Sequence, residues 1–323
     1  MRAVGIERFG DTPELREVPE PEPGPGQLRV AVEAAATNPL DLAIASGALA
    51  EAGAYRFPLT LGMDGAGTVT AVGAGVTGFR VGERVFGQFW SSPFQFGTFA
   101  DVCVVQEAPA LGALAAVPDE LPSHLAAALP TAAMTALGVI EQAQLPAGGT
   151  LVVIGATGGV GTFAVQAAAA RGLRVVATAA TASGGRADRL RELGADTVLA
   201  GGGQPLDQAL RDLAPDGVDA VLDAVGDRAL AGSAAGAVRD GGALISIAFG
   251  LDERAQADQR IRAANYRLDR KPELLAQVAH LAAAGTLRPV IGAEVPLEDA
   301  PRALTGAVPF TGGLRGKVVV RVG

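Results

Sequence analysis

The 323-residue chain holds one cysteine, Cys103, two histidines, His124 and His280, and two lysines, Lys271 and Lys317. One cysteine excludes an internal disulfide and a four-cysteine zinc knot, and two histidines far apart in sequence make a poor inventory for a metal centre. Within the apolar TFADVCVV, Cys103 reads as a small buried hydrophobe. Aromatic residues make up only 4% of the chain, so any cluster of them stands out. No stretch of roughly 18 residues is free of glycine and charge, which excludes a membrane-spanning helix. The opening MRAVGIERFG lacks the charged head and apolar body of a secretory signal, so a cytoplasmic protein is expected. Positive charge is scarce as well: the formal net charge is -8, and the arginines lie among acids, as in RADRLRELGAD. A nucleic-acid binder needs basic stripes that displace counterions from phosphates, and that class is excluded.

What is present divides in two. A chain of this length exceeds what one hydrophobic core usually organises. The first hundred residues read as short strands and turns: QLRVAVEAAA after the proline-rich VPEPEPGPG, then GAGTVTAVGAGV, VGERVFGQ and GTFADVCVVQ, spaced as in an antiparallel barrel. One helix is expected at NPLDLAIASGAL, with Asn38 as cap and Pro39 in the first helical position. From about Pro122 the texture changes to alanine-rich helices and then to apolar strands alternating with helices: TLVVIGA, LRVVATA, DTVLA, VDAVLDAVG and GALISIAFG. Nearly continuous hydrophobic strands separated by helices predict an α/β, doubly wound parallel sheet covered on both faces. The tail, through LRPVIGAEVPLEDAPRALTGAV and GKVVVRV, returns to strand, helix and strand, and is read as rejoining the first domain.

The chemistry is carried by ATGGVG, where the first of these strands runs directly into a helix. The spacing is that of the dinucleotide fingerprint with alanine in its first glycine position: Ala156, Gly158, Gly161. Thr157, Gly158 and Gly159 line the turn where backbone can approach a pyrophosphate, Gly161 lets helix and strand close together, and the helix start at Val160 aims amides at the anion. An NAD site normally ends its second strand with Asp or Glu to meet the ribose hydroxyls. Here RVVATAATASGGR has no acid, Ala179 takes that place, and Thr178, Thr181, Ser183 and Arg186 are donors suited to a 2′-phosphate. NADPH is the expected cofactor.

With those residues in hand, the chain resembles the zinc-independent quinone oxidoreductase branch of the medium-chain dehydrogenase/reductase superfamily over essentially its whole length. The segments that carry the likeness include ATNPLDLAIASG, PLTLGMDGAGTVTAVGAGVTGFRVGERVFG, LPTAAMTALGVI, GGTLVVIGATGGVGTFAVQAA, GVDAVLDAVG, GGALISIA and LRGKVVVRVG. The resemblance implies a GroES-like barrel from residues 1–122 and 271–323, a Rossmann domain from 123–270, a nicotinamide cleft between them, and a homodimer. It implies that Thr135 contacts the carboxamide region, that Ala224, Val225, Gly226, Ser246, Ile247 and Ala248 border the cofactor, and that Lys317 lies near the pyrophosphate. It also implies that Asn38 and Asp41 face the nicotinamide and carry the catalysis.

Two departures bear on mechanism. Zinc-dependent relatives carry Gly-His-Glu where this chain has Met63 and Asp64, so no metal is expected. Relatives of the quinone reductase type often carry Tyr and Arg where this chain has Ala43 and Ala45, which removes a side-chain proton donor. Without a Lewis acid a simple ketone is a difficult acceptor, whereas a quinone, enone or enal spreads the charge itself. Hydride transfer from NADPH to such an acceptor is the expected reaction, with Asn38 orienting a carbonyl or the cofactor ribose. In VFGQFWSSPFQFGTF, Trp90 and Phe94 are candidates to stack against a planar substrate. Three alternatives stay open: an enoyl-thioester reductase, a non-catalytic NADPH-binding protein, and an NADH-linked alcohol dehydrogenase.

Overall fold

The computed structural model describes residues 1–201, 204–311 and 313–323. Its second half is a six-stranded parallel sheet in the spatial order 197–200, 174–179, 150–154, 218–223, 238–246, 262–265. In chain order that is 3-2-1-4-5-6, the doubly wound arrangement whose crevice opens at the carboxyl ends of the strands, where the order reverses beside the first one. Leu151, Val152, Val153 and Ile154 are all buried because helices cover both faces, so this strand reads as one hydrophobic run rather than an alternation.

The first half and the tail form the GroES-like unit. Its longest strand, Gln27–Ala36, buries Leu28, Val30, Val32 and Ala34 in strict alternation. It pairs antiparallel with Asp64–Val72, with Val102–Gln106 and with the C-terminal strand Lys317–Arg321, which in turn pairs parallel with Ile291–Pro296. A smaller sheet joins Glu14–Glu17, Arg2–Ile6 and Leu59–Thr60. Among the described residues no helix is long and apolar enough to cross a membrane.

Three details differ from the sequence reading. The short helix Ser123–Ala127, grouped with the second domain, packs on the barrel strands Gln27–Ala36 and Asp64–Val72. The helix before the fifth strand ends at Ala235, and that strand, read from the sequence as GALISIAFG, begins earlier, at Val238. A sixth parallel strand, Arg262–Asn265, follows where none was expected; it is a short edge strand with Arg262 exposed, and such a segment carries little hydrophobic signal. The helix Pro130–Ala143 is buried along most of its length and shares one core with the Rossmann sheet, barrel residues Ala34, Ala66 and Phe86, and the helix Pro272–Ala283.

At the glycine-rich turn, packing explains one residue type outright. A Cβ on Gly161 would stand 2.3 Å from the carbonyl oxygen of Gly155 and 2.7 Å from Cα of Ala156, both rigid backbone. Gly161→Ala is therefore expected to lower stability by about 1–3 kcal/mol, the usual cost of overpacking. Denaturant unfolding that matched wild type would show that the turn relaxes freely.

Candidate active site

The turn after the first parallel strand leads into the helix Gly159–Ala170, with Gly158 as its N-cap. The first amides of such a helix have no carbonyl of a preceding turn to meet, and they carry the positive end of the helix dipole. A Cβ on Gly158 would meet nothing nearer than the Gly155 carbonyl at 3.5 Å, so the backbone there is open to a ligand. A diphosphate fits this turn. Behind it, Ala156 is buried and the Gly155 amide donates to Oγ1 of Thr178 at 3.3 Å. The Thr178 hydroxyl oxygen thus braces the turn from the second strand.

The C-terminal segment crosses this turn. The Gly316 amide donates to the Thr157 carbonyl at 2.9 Å, and the Lys317 stem lies so close to Gly159 that a Cβ there would stand 2.8 Å from Lys317 Cδ. Lys317, expected near the pyrophosphate, thus has its stem at the glycine-rich turn, while its ammonium is bonded on the barrel side. It is 5% exposed, and its ammonium donates to the Thr37 carbonyl at 2.8 Å and to Asn38 Oδ1 at 2.7 Å, with Asp64 Oδ2 at 3.6 Å. Burial pulls its pKa below the ordinary lysine value, and the fields of Asp64 and Asp41 oppose that shift.

Asn38 and Asp41 open the helix Pro39–Ala45 as a capping box, in which the Asp41 carboxylate accepts from the Asn38 backbone amide at 2.7 Å. The Asn38 side chain also donates to Asp64 Oδ2 at 3.0 Å. Asp64 accepts in addition from Thr131 Oγ1 at 2.6 Å and from the Thr131 backbone amide, and Gln88 Nε2 donates to Thr131 Oγ1 at 2.7 Å. Asp41 has no exposed surface and one carboxylate oxygen, Oδ1, without a partner; it braces Asn38 from behind and does not reach the cleft. Burial pushes its pKa up to about 7, the nearby Asp64 adds to the rise, and the Asn38 amide and Lys317 oppose it.

On the Rossmann side, Asp223 is the residue that sequence reasoning missed. Its Oδ1 accepts from the amides of Val225 and Gly226 at 2.9 and 3.0 Å, and Ser246 donates to its Oδ2 at 2.7 Å. A buried acid at the end of the fourth strand therefore shapes both borders, Ala224 to Gly226 and Ser246 to Ala248. The Ser246 hydroxyl is used inside the protein, and only the backbone there is left for a ligand. Thr135 spends its hydroxyl proton on the Thr131 carbonyl at 2.6 Å, leaving acceptor capacity alone. Val225 is exposed here, as is Phe249, which follows Ala248 in the chain.

The two aromatic candidates occupy other roles. Phe94 is 1% exposed in the barrel core, edge-on to Tyr55 and tilted against Trp90, so it offers no face to a substrate. Trp90 is also buried, and the Arg270 guanidinium lies over its ring, 5.3 Å from the centroid. Arg270 Nε is buried without a hydrogen-bond partner; burial lowers the pKa of this guanidinium, and the field of Asp64 opposes that. The ring seats a cation.

At the carboxyl end of the second strand, Arg186 and Arg315 line one open cleft of about 610 Å³ with Gly185, Phe310, Gly313 and Leu314. Arg186 Nε donates to the Gly313 carbonyl at 2.9 Å, and Arg315 lies over the Phe310 ring. Ser183 is exposed nearby in sequence, its carbonyl accepting from Thr181. Arg315 comes from the tail of the chain, beyond the reach of any local motif. Among the described residues no group of three His, Cys, Asp or Glu is gathered for a metal ion, and the carboxylate at the zinc-family position, Asp64, already faces an ammonium. The residues present do not fit zinc.

Parallel-sheet order, glycine turn and a polar cluster beside it define a dinucleotide-dependent oxidoreductase of two domains, and comparison with known proteins gives the family. Residues 24–117 match the family model described as "Alcohol dehydrogenase GroES-like domain", and residues 193–320 match "Zinc-binding dehydrogenase". A "2-methylene-furan-3-one reductase" of Solanum lycopersicum is 33% identical over 220 residues, 67% of this chain and 53% of that protein. A "Quinone oxidoreductase" of Lama guanicoe is 29% identical over 333 residues, 99% of this chain and 97% of that protein. A mycobacterial protein solved in complex with NADPH superposes with a TM-score of 0.82 at 26% identity, covering 99% of each chain. The chain belongs to the quinone oxidoreductase branch of the medium-chain dehydrogenase/reductase superfamily.

Asp41 sets a pH dependence. Its folded pKa of about 7 lies above the ordinary 3.8, so the folded state holds this proton more tightly than the unfolded state. The contribution to stability is fully present below the unfolded pKa and is lost as pH rises through the folded one. Asp41→Asn should therefore flatten the decline in stability between about pH 4 and 7, seen as urea midpoints measured across that range. Parallel wild-type and variant curves would mean that Asp41 is ionised throughout.

Proposed function

We propose that the chain is an NADPH-dependent reductase that delivers hydride to a quinone or another conjugated carbonyl, without a metal. The observation that carries the reading is the pair Arg186 and Arg315 on one open cleft, at a strand end that lacks the acid an NAD ribose would meet. Two guanidiniums suit a 2′-phosphate and offer NADH nothing comparable. The mycobacterial relative that binds NADPH, and the two relatives named for a quinone and a furanone acceptor, support the same cofactor and acceptor class here.

When bound, the reduced nicotinamide supplies the hydride; the chain supplies position and charge. The amides opening the helix at Gly159 would hold the diphosphate, and the turns fixed by Asp223 would border the cofactor. Asn38 donates an N–H to an oxygen of the acceptor or of the ribose. Lys317 already neutralises Asp64, which leaves Arg270 as the cation in this cluster with no acid bonded to it, placed to meet negative charge on a reduced carbonyl. A conjugated acceptor asks less of such a site than a simple ketone, because the charge is delocalised before it reaches the oxygen. Among the described residues no donor in the cluster stands ready as a strong acid at the surface, so the final proton would come from solvent.

The test is NADPH consumption across benzoquinones, enals, enones and a crotonyl thioester, with and without a chelator. Turnover of quinones or enones, unchanged by chelation, is expected; turnover of the thioester alone would move the assignment to an enoyl reductase, and none at all to a binding protein. Arg186→Ala and Arg315→Ala should each weaken NADPH by about 1–3 kcal/mol, the worth of a hydrogen bond to a charged group, and leave NADH unchanged. Equal losses for both cofactors in a titration would refute the 2′-phosphate site.

A further inference from the structure

We propose that Asp64 and Lys317 are positioning residues that hold the Asn38 amide in one orientation, so that it meets a ligand oxygen as a donor and not as an acceptor. The inference rests on the reading of Asn38 given above. An asparagine side chain is nearly symmetric in shape, and only its hydrogen-bond partners decide which end is the carbonyl. Here they decide it from both sides. Lys317 Nζ, a pure donor, stands 2.7 Å from Oδ1, and the Asp64 carboxylate, a pure acceptor when ionised, stands 3.0 Å from Nδ2. A flip would place NH₂ against an ammonium and C=O against a carboxylate, turning two attractive contacts into two repulsive ones in a site shielded from water.

The two jaws are themselves fixed. Asp64 is fully buried and takes the hydroxyl and amide of Thr131, with Gln88 behind the hydroxyl; Lys317 is tied to the Thr37 carbonyl and its stem is pressed against Gly159. After these contacts one Asn38 N–H remains, whose nearest acceptor within the protein is the Ala36 carbonyl at a long 3.5 Å. That proton is the one available to a substrate carbonyl or a ribose oxygen. The lock also spans the molecule: one jaw starts the C-terminal strand beside the cofactor helix, the other lies on the barrel strand Asp64–Val72.

Two measurements on the full-length chain test this. In spectra of the ¹⁵N-labelled protein without added cofactor, the side-chain amide pair that disappears in Asn38→Ala should exchange slowly with solvent. Lys317→Met, and independently Asp64→Asn should Lys317→Met fail to fold, should speed that exchange by about tenfold or more; unchanged exchange would overturn the lock. The second measurement is a double-mutant cycle on kcat/KM with a quinone acceptor, with NADPH affinity and thermal melting followed alongside. Lys317→Met should cost about tenfold in the wild-type background and less than about twofold in Asn38→Ala, with NADPH affinity held within about twofold. Equal losses in both backgrounds would show that Lys317 acts on its own and refute the proposal. Should no acceptor turn over, the functional reading fails, while the exchange measurement still decides the lock.

Discussion

The path of the Lys317 side chain joins the parts of this molecule. Its stem lies across Gly159 at the mouth of the cofactor helix, and its ammonium ends among Thr37, Asn38 and Asp64 in the barrel. Removing an ammonium from water costs several kcal/mol, and only a full set of partners offsets it. Three oxygens surround this one. The arrangement also explains the residue opposite: a side chain at position 159 would displace the lysine, so the glycine serves the contact between the domains as well as the approach of a phosphate. The cleft is thereby defined by a covalent tether, the strand Lys317–Arg321, that starts on the Rossmann turn and ends in the barrel sheet.

Polar residues in this cleft are organised in layers, and their value lies in leaving few groups uncommitted. Asp223, Ser246, Thr135 and Thr178 all turn their side chains into the protein, which fixes the backbone that borders the cofactor. Gln88, Thr131, Asp64 and Lys317 do the same around Asn38. Less committed among the described residues are the helix amides, one N–H of Asn38 with only a long contact to the Ala36 carbonyl, the guanidinium of Arg270 on Trp90, and the two arginines of the open cleft. A site preorganised in this way stabilises charge without reorganising when it develops. The carboxylate at the zinc-family position, Asp64, is likewise committed, to the tethered Lys317.

Much of this was legible in the chain. The alternation of Gln27–Ala36, the hydrophobic runs of the parallel strands and the ATGGVG turn each follow from local periodicity and spacing, and they lead to the two-domain fold without help from tertiary contacts. Arg186 was legible because it lies only seven residues beyond Ala179, in the first turn of the helix that follows the strand Ala179 ends. Arg315 was not, since it reaches that cleft from the far end of the chain. Asp223 and Asp64 were hidden for a related reason: an acid at a strand end looks like any solvated charge until its partners converge on it. Trp90 and Phe94 misled because aromatic content alone does not say whether a ring faces a cleft or a core.

Sequence by itself determined the two-domain division, the first five parallel strands, the glycine-rich turn and the lack of an acid at the end of the second strand. These depend on residues close together in the chain, where periodicity and backbone sterics act. Tertiary structure alone decided that the Lys317 ammonium bonds Thr37 and Asn38 beside Asp64, that Arg315 joins Arg186, and that Arg270 lies over Trp90. Each of those outcomes sets the direction of a charged side chain through partners far away in the chain; for Lys317 the reason is burial, which makes an unpaired ammonium too costly to keep.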